Sequence, residues 1–166
     1  MTTQTPIRVA LGLGSNIGNT RENLDLAVRY LDATPGVTLT GRSSDYRTPP
    51  WGPIPQDDYR NICITVDTVL TPRALLERCL AIEARMGRVR DVRWGPRLID
   101  IDILVFGDEK VDRDGLTIPH PRMNERAFVL IPLAEIWPEA PLSDGRTAAE
   151  ALETCPDKDG VVRLDD

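Results

Sequence analysis

The chain has 166 residues, enough for one ordinary domain with a sizeable core. Its 41% hydrophobic and 28% charged residues are typical of a globular protein, and its net charge of −6 makes nucleic acid a poor general partner. No apolar run approaches the ~20 residues of a membrane span. We therefore expect no membrane or nucleic-acid partner and a single domain over 1–166, with 1–6 and 156–166 peripheral. A cytoplasmic monomer is expected as well.

Strand and helix patterns alternate at the start of the chain. Residues 7–13 alternate apolar and predict a first strand, and the glycine-rich stretch 12–18 is interpreted as a tight turn leading into a helix. It is not a Walker loop, because no Gly-Lys-Ser/Thr follows. Asn19, with Glu22 three residues later, has the capping-box pattern that predicts a helix N-terminus. Residues 37–46 predict the second strand.

A proline-rich segment separates the second strand from the third. Residues 48–57, TPPWGPIPQD, hold four prolines and cannot join a central strand. Trp51 favours a docking loop over a disordered one. Residues 59–69 predict the third strand. A second helix should start at Thr71-Pro72, since proline suits the first helical position, and should end near Gly87, a plausible C-terminal cap.

The most informative stretch is 85–106. Its first part, 85–97, carries five arginines against one acid, and glycine and proline predict a loop there. The second part, 98–106, predicts a strand in which Asp100 and Asp102 share one face, roughly 7 Å apart. The apolar residues expected on the opposite face are Ile99, Ile101, Ile103 and Val105. Paired carboxylates beside arginines suit a magnesium-bound polyphosphate, although a solvated sheet face beside a polar loop would give the same pattern.

The order of the elements is β-α-β-β-α-β, followed by a tail with short helices near 126–137 and 147–152. This order predicts an α+β, ferredoxin-like antiparallel sheet with two helices on one face. The C-terminal helices would cover the other face and give a three-layer α/β/α arrangement.

A second pocket is expected beside the polyphosphate site. Tyr59 and Asn61 follow the proline-rich segment, and together with Trp51 they offer aromatic stacking and an amide for a flat polar heterocycle. Two pockets around one metal pair favour a transferase. Two alternatives remain open: a two-metal phosphodiesterase or nuclease, and an RNA-binding module on the same scaffold.

Several motifs, taken together, resemble one family. The segments LGLGSNIGN at 11–19, YRTPPWG at 46–52, RWGPRLIDIDIL at 93–104 and LTIPHPRM at 116–123 resemble the 6-hydroxymethyl-7,8-dihydropterin pyrophosphokinases of the folate pathway. The resemblance implies that ATP, with two Mg²⁺ per active site, gives its terminal diphosphate to the hydroxymethyl oxygen of the pterin and releases AMP.

The same resemblance assigns roles residue by residue. Asp100 and Asp102 match the magnesium ligands, and the catalytic residues are Arg88, Arg97 and Asp102. The residues that match the pterin pocket are Thr48, Pro49, Pro50, Trp51, Tyr59, Asn61, Trp94 and Phe128. The residues that match nucleotide contacts are Glu83, Arg90, Arg93, Arg97, Ile103, Thr117, His120 and Arg126.

Overall fold

The computed structural model describes residues 5–50, 55–87, 98–113, 115–156 and 158–165. Its strands are β1 (Ile7–Ser15), β2 (Val37–Arg42), β3 (Asp45–Thr48), β4 (Tyr59–Thr68), β5 (Asp100–Phe106), β6 (Val111–Arg113), β7 (Leu116–Ile118) and β8 (Val162–Leu164). Its α-helices are α1 (Thr20–Asp32), α2 (Pro72–Arg85), α3 (Ala127–Ile136) and α4 (Ala148–Glu153). One sheet has the order β5-β1-β4-β3-β8, with β2 also paired to β4, and every recorded pairing in it is antiparallel.

Local sequence signals define the helix ends as predicted. The Asn19 side chain accepts a hydrogen bond from the Glu22 backbone N–H at 3.1 Å, and Thr71 caps α2 in the same way through the Ala74 N–H. Each bond satisfies an N–H group that has no partner within its helix. Gly87 follows α2 with a φ of +87°, a left-handed conformation that favours glycine at a helix end.

The prediction of one strand over residues 37–46 is wrong, because two strands, β2 and β3, occupy this region. They pair with successive parts of β4, and Ser43 lies at the break between them. The Ser43 backbone N–H donates to the Cys63 carbonyl oxygen at 2.8 Å, and its hydroxyl accepts from the Cys63 N–H at 2.9 Å. Ser43 therefore keeps this part of β4 hydrogen-bonded while the neighbouring strand is interrupted.

The two faces of the sheet belong to different apolar clusters. One cluster joins alternate residues of β1, β4 and β5 to α1 and α2, and the other joins the opposite face to α3 and α4. Ile99, Ile101 and Ile103 lie in the first cluster as expected, but Val105 lies in the second. The cause is a β-bulge: Leu11 pairs with Ile103 and Ala10 with Val105, so Leu104 is an extra residue that reverses the alternation.

Short elements complete the described part of the chain. Strands β6 and β7 form a separate hairpin after β5, and β8 pairs with β3 at one edge of the main sheet. Strand β8 was not predicted from the sequence. No helix in the described ranges is long and apolar enough to cross a membrane.

Candidate active site

A cavity of about 300 Å³ lies over the face of the sheet that α3 covers. It brings together residues from β1, β3, β4, β5 and α3, which are far apart in the sequence. Its walls include eight side chains singled out from the sequence, namely Thr48, Pro49, Tyr59, Asn61, Asp100, Asp102, Arg126 and Phe128. The predicted carboxylate pair and the predicted aromatic pocket therefore share one continuous space.

The floor of the cavity is open because the central strand carries glycines there. Gly12 and Gly14 lie within β1 and line the cavity, so the interpretation of residues 12–18 as a turn is wrong for these two. Gly14 pairs with Asn61 on one side and with Asp100 on the other, and Gly12 pairs with Asp102. The missing side chains leave a trough between the amide on β4 and the carboxylates on β5. Glycines two residues apart in an alternating strand could have signalled this face.

The Asn61 amide is held by a defined partner. Its Nδ2 donates to Thr48 Oγ1 at 2.6 Å, a buried bond across two neighbouring strands. Thr48 is 3% exposed and Asn61 is 9% exposed, although both line the cavity. Because Nδ2 is engaged by Thr48, the Asn61 carbonyl oxygen remains directed over Gly14 as a hydrogen-bond acceptor.

Asparagine also ties the proline-rich segment to the sheet. The buried Asn16, just after β1, donates through Nδ2 to Gln56 Oε1 at 2.8 Å and to the Asp57 carbonyl oxygen at 3.0 Å. These bonds fix the end of the segment immediately before Tyr59. This role of Asn16 was missed from the sequence, because only the fold brings it next to residues forty positions away.

Charge is concentrated at one side of the cavity. Asp100 is half-buried and Asp102 is exposed, and both belong to β5. Burial lowers the pKa of Arg126, Arg122 lowers it further, and Asp102 raises it. Arg126 remains a cation at neutral pH, and its guanidinium carbon lies 5.6 Å from the centroid of the Phe128 ring. The cavity thus combines two carboxylates with at least one arginine.

The predicted nucleotide residues are not all brought to this cavity. Glu83 is buried in α2, where its carboxylate accepts a hydrogen bond from the Ile101 N–H at 2.8 Å. The Ile103 side chain is buried in the cluster on the α1 and α2 side of the sheet. Thr117 lines a separate groove beside the β6–β7 hairpin. Of the described nucleotide residues, Arg126 alone lines the cavity.

His120 lies in the segment after β7 that runs along β5. Its backbone N–H donates to the Leu104 carbonyl oxygen at 2.9 Å, and its Nδ1 accepts from the Arg122 N–H at 3.3 Å. Burial lowers the pKa of His120, and Arg126 and Arg122 lower it further. The imidazole is therefore neutral at pH 7, with Nδ1 as the acceptor and Nε2 as the donor.

Part of the predicted site lies outside the described residues. This applies to Trp51 and to residues 88–97 of the predicted arginine loop, among them Arg88, Arg90, Arg93, Trp94 and Arg97. The start of the loop prediction is wrong, because Arg85 is the last residue of α2. Pro50 is described but does not line the cavity.

The donor set of the cavity suits Mg²⁺ when a polyphosphate is also present. Within the described ranges, no group of three or more His, Cys, Asp or Glu side chains is arranged to hold a metal ion. Mg²⁺ bound at enzyme phosphate sites commonly takes only one or two carboxylates and completes its shell with phosphate oxygens and water. Asp100 and Asp102 fit that requirement, because they are accessible from the cavity.

Comparison with known proteins connects this site to a family. Residues 10–138 match the family model of 7,8-dihydro-6-hydroxymethylpterin-pyrophosphokinase. A 2-amino-4-hydroxy-6-hydroxymethyldihydropteridine pyrophosphokinase from Methylorubrum extorquens is 51% identical over 158 residues, covering 95% of this chain and 99% of that protein. An enzyme of the same name from Pseudomonas aeruginosa is 43% identical, covering 95% and 96%.

Solved structures agree on the fold. The HPPK-DHPS protein of Plasmodium falciparum, crystallised with pterin and p-hydroxybenzoate, matches with a TM-score of 0.74 and 15% identity. The match covers 98% of this chain but 46% of that one. The chain therefore spans about half the length of that protein.

The fold is a mixed α and β one, in which an antiparallel sheet lies beneath a cavity lined by two carboxylates and an arginine. The chain belongs to the 7,8-dihydro-6-hydroxymethylpterin-pyrophosphokinase family. It is a pyrophosphokinase, which transfers diphosphate from ATP to hydroxymethyldihydropterin in folate biosynthesis.

Proposed function

We propose that the cavity over β1 binds the pterin. Its ring would lie between Tyr59 and Phe128, where two aromatic faces stabilise a planar heterocycle. Asn61 would accept from an N–H group of the ring, and Thr48 would recognise a neighbouring polar atom. The observation that carries the proposal is that one cavity joins this amide and these rings to the carboxylate pair. Pro49, Pro50, Trp51 and Trp94 would complete the pterin pocket.

The carboxylates of β5 would hold two Mg²⁺ ions with the phosphates of ATP. Asp100 and Asp102 would supply the protein oxygens, and the bound cations would neutralise charge that builds up on the phosphates during transfer. The arginines assigned to ATP, which are Arg90, Arg93, Arg97 and Arg126, would bind the remaining phosphate oxygens. The nucleotide would extend toward His120 and Thr117, with His120 Nε2–H as a neutral donor.

In the reaction, the hydroxymethyl oxygen attacks the β-phosphorus of ATP, the bond from the β-phosphorus to the oxygen of the α-phosphate breaks, and AMP leaves. Asp102 would help to remove the hydroxyl proton. Arg88 and Arg97 would hold the transferring diphosphate in line and stabilise its charge. Ile103 would contact the nucleotide through its main-chain atoms only. Glu83 would support the nucleotide site through its hydrogen bond to the Ile101 N–H of β5.

We also propose the finer architecture. The strand order β5-β1-β4, with β2 and β3 beyond β4, supports a ferredoxin-like sheet. Apolar clusters on both faces, one with α1 and α2 and the other with α3 and α4, support three layers. We further propose a single-domain, monomeric, cytoplasmic enzyme over residues 1–166 that requires no nucleic acid or membrane.

Product analysis tests the proposed site. With ATP, Mg²⁺ and 6-hydroxymethyl-7,8-dihydropterin, the wild type should form AMP rather than ADP. Asp102→Asn should keep the wild-type circular dichroism spectrum. Its rate of AMP formation should fall by about 10³-fold or more, since the carboxylate would hold the metal ions that supply much of the catalysis. Asp108→Asn is the matched control, because Asp108 is exposed in the turn after β5 and does not line the cavity. Wild-type AMP formation by Asp102→Asn would overturn the assignment.

A further inference from the structure

Strand β1 carries glycine at position 14, where the chain pairs with Asn61 across the floor of the cavity. Gly14 belongs to a regular strand and has no positive φ, so backbone conformation does not require glycine there. The requirement is space. A Cβ atom at this position would lie 2.5 Å from Asn61 Oδ1 and 3.4 Å from Tyr59 Cδ1. Such a short approach to an oxygen forces one of the two groups to move.

Asn61 is the group that would have to move, and its movement carries a cost in stability. Its amide nitrogen donates to Thr48 at 2.6 Å, and both side chains are buried. Rotating the amide away from position 14 breaks or lengthens this bond. A buried polar group that loses its partner destabilises the fold, so the orientation of Asn61 that is bound to Thr48 is preferred only while position 14 has no side chain.

We propose that Gly14 is a positioning residue for pterin recognition, because its missing side chain leaves the space in which the Asn61 carbonyl oxygen faces the substrate. The proposal rests on the assignment of this cavity to the pterin. Gly14 sets the direction of the acceptor and does not itself bind the ring. The group of the pterin that Asn61 Oδ1 would bind is a hydrogen-bond donor, either a ring N–H or an amino group.

Gly12 is a different case on the same strand. The three atoms nearest to a Cβ atom at Gly12 all belong to the Leu104 side chain, at 3.3 to 3.5 Å. An apolar side chain adjusts more easily than a hydrogen-bonded amide. The positional requirement is therefore specific to Gly14, the residue paired with Asn61.

A second glycine outside the cavity supplies a matched control. Gly41 lies in β2, and a Cβ atom there would lie 2.7 Å from Thr65 Oγ1 on β4. Gly41→Ala thus introduces a similar clash between a strand methyl group and a polar oxygen of β4. It should lower thermal stability as Gly14→Ala does, but Gly41 does not line the cavity and should leave pterin affinity unchanged.

The test measures binding of 6-hydroxymethyl-7,8-dihydropterin by calorimetry, with Mg²⁺ and a non-hydrolysable ATP analogue present. Gly14→Ala should raise the pterin Kd roughly 10- to 100-fold, which is the range expected for one lost buried hydrogen bond. The Kd of the ATP analogue, measured alone, should stay constant. The Asn61 side-chain NH₂ signals in an ¹⁵N correlation spectrum, assigned by their loss in Asn61→Ala, should shift in Gly14→Ala and stay in place in Gly41→Ala.

The double variant separates positioning from direct contact. If Gly14 acts through Asn61, adding Gly14→Ala to Asn61→Ala should change the pterin Kd by less than about 2-fold. A full additional loss would show that the new methyl group meets the substrate itself, and it would overturn the proposal. Unchanged pterin binding in Gly14→Ala, with weakened binding in Asn61→Ala, would also overturn it. Unchanged binding in Asn61→Ala would instead refute the assignment of the cavity to the pterin.

Discussion

Glu83 joins α2 to β5, the strand that carries the carboxylate pair. Removing the Glu83 side chain should therefore loosen β5 and disturb the two carboxylates. Among the strands that the structure describes, β5 is at the edge of the main sheet, where outer backbone N–H groups need partners other than a neighbouring strand. Glu83, 4% exposed, accepts from the Ile101 N–H at 2.8 Å. Ile101 stands between Asp100 and Asp102, so this bond holds the backbone midway between the two carboxylates.

Glu83→Ala removes the acceptor from a buried donor. The expected loss is about 1–3 kcal/mol of the free energy of unfolding for the N–H group left without a partner. For a chain of this size, each 1 kcal/mol lowers Tm by roughly 2–4 °C, so the fall in Tm should be roughly 2–12 °C. Glu83→Gln keeps a carbonyl oxygen at the same distance from the Ile101 N–H, so its free energy of unfolding and its Tm should fall much less.

Thermal unfolding followed by circular dichroism gives the first readout, and the Mg²⁺ dependence of AMP formation gives the second. Glu83→Ala should need more Mg²⁺ for half-maximal rate than Glu83→Gln does, because the strand that carries the proposed metal ligands is loosened. The resemblance to the family instead implies a nucleotide contact for Glu83. If Glu83→Ala weakened nucleotide binding with an unchanged Tm, the role of Glu83 in holding β5 would be refuted.

Three further predictions concern stability. Tyr46→Phe removes a hydroxyl that donates to Glu135 at 2.5 Å, and it should lower the free energy of unfolding in urea by about 1 kcal/mol. In the wild type, burial and the neighbouring Glu135 raise the pKa of the Tyr46 phenol to about 12, which a spectroscopic titration can check. Thr147→Ala breaks the capping box with Glu150 and should cost about 1 kcal/mol in the same assay. The pKa of His120 lies below the ordinary 6.5 in the folded state, so the unfolded state binds more protons. The free energy of unfolding should therefore fall as pH drops below 6.5, and His120→Asn should reduce that fall.

Local signals in the sequence predicted the elements well where one short pattern decides the outcome. The helix starts at Asn19 and Thr71 depend on residues one to three positions away, and both were predicted correctly. The break at Ser43 and the bulge at Leu104 depend on partner strands, so alternation along one strand could not reveal them. The same limit applies to β8, a three-residue edge strand that exists through its pairing with β3.

The carboxylate pair could be predicted from the sequence because Asp100 and Asp102 share a face through the two-residue period of one strand. The neighbours of that pair could not be predicted in this way. That Gly14 faces both Asn61 and Asp100 follows from the register of three strands. The position of Asn61 after the proline-rich segment and the family resemblance both indicated a pocket residue, but only the sheet explains why the residue beside it must be small.

Both faces of the sheet carry an apolar cluster, and the cavity lies on the face toward α3. The face toward α1 and α2 is filled by fully buried apolar side chains such as Leu11, Leu24 and Ile64, which hold the register of the strands. On the other face, apolar packing is interrupted at Gly14, and the resulting space is the cavity. The Asn61 amide in the cavity is held by its hydrogen bond to Thr48, beside the apolar packing of Cys63 and Leu104. Small shifts of register would move Asn61 and the carboxylates relative to each other, so the apolar packing that holds β1, β4 and β5 in register also holds the geometry of the cavity.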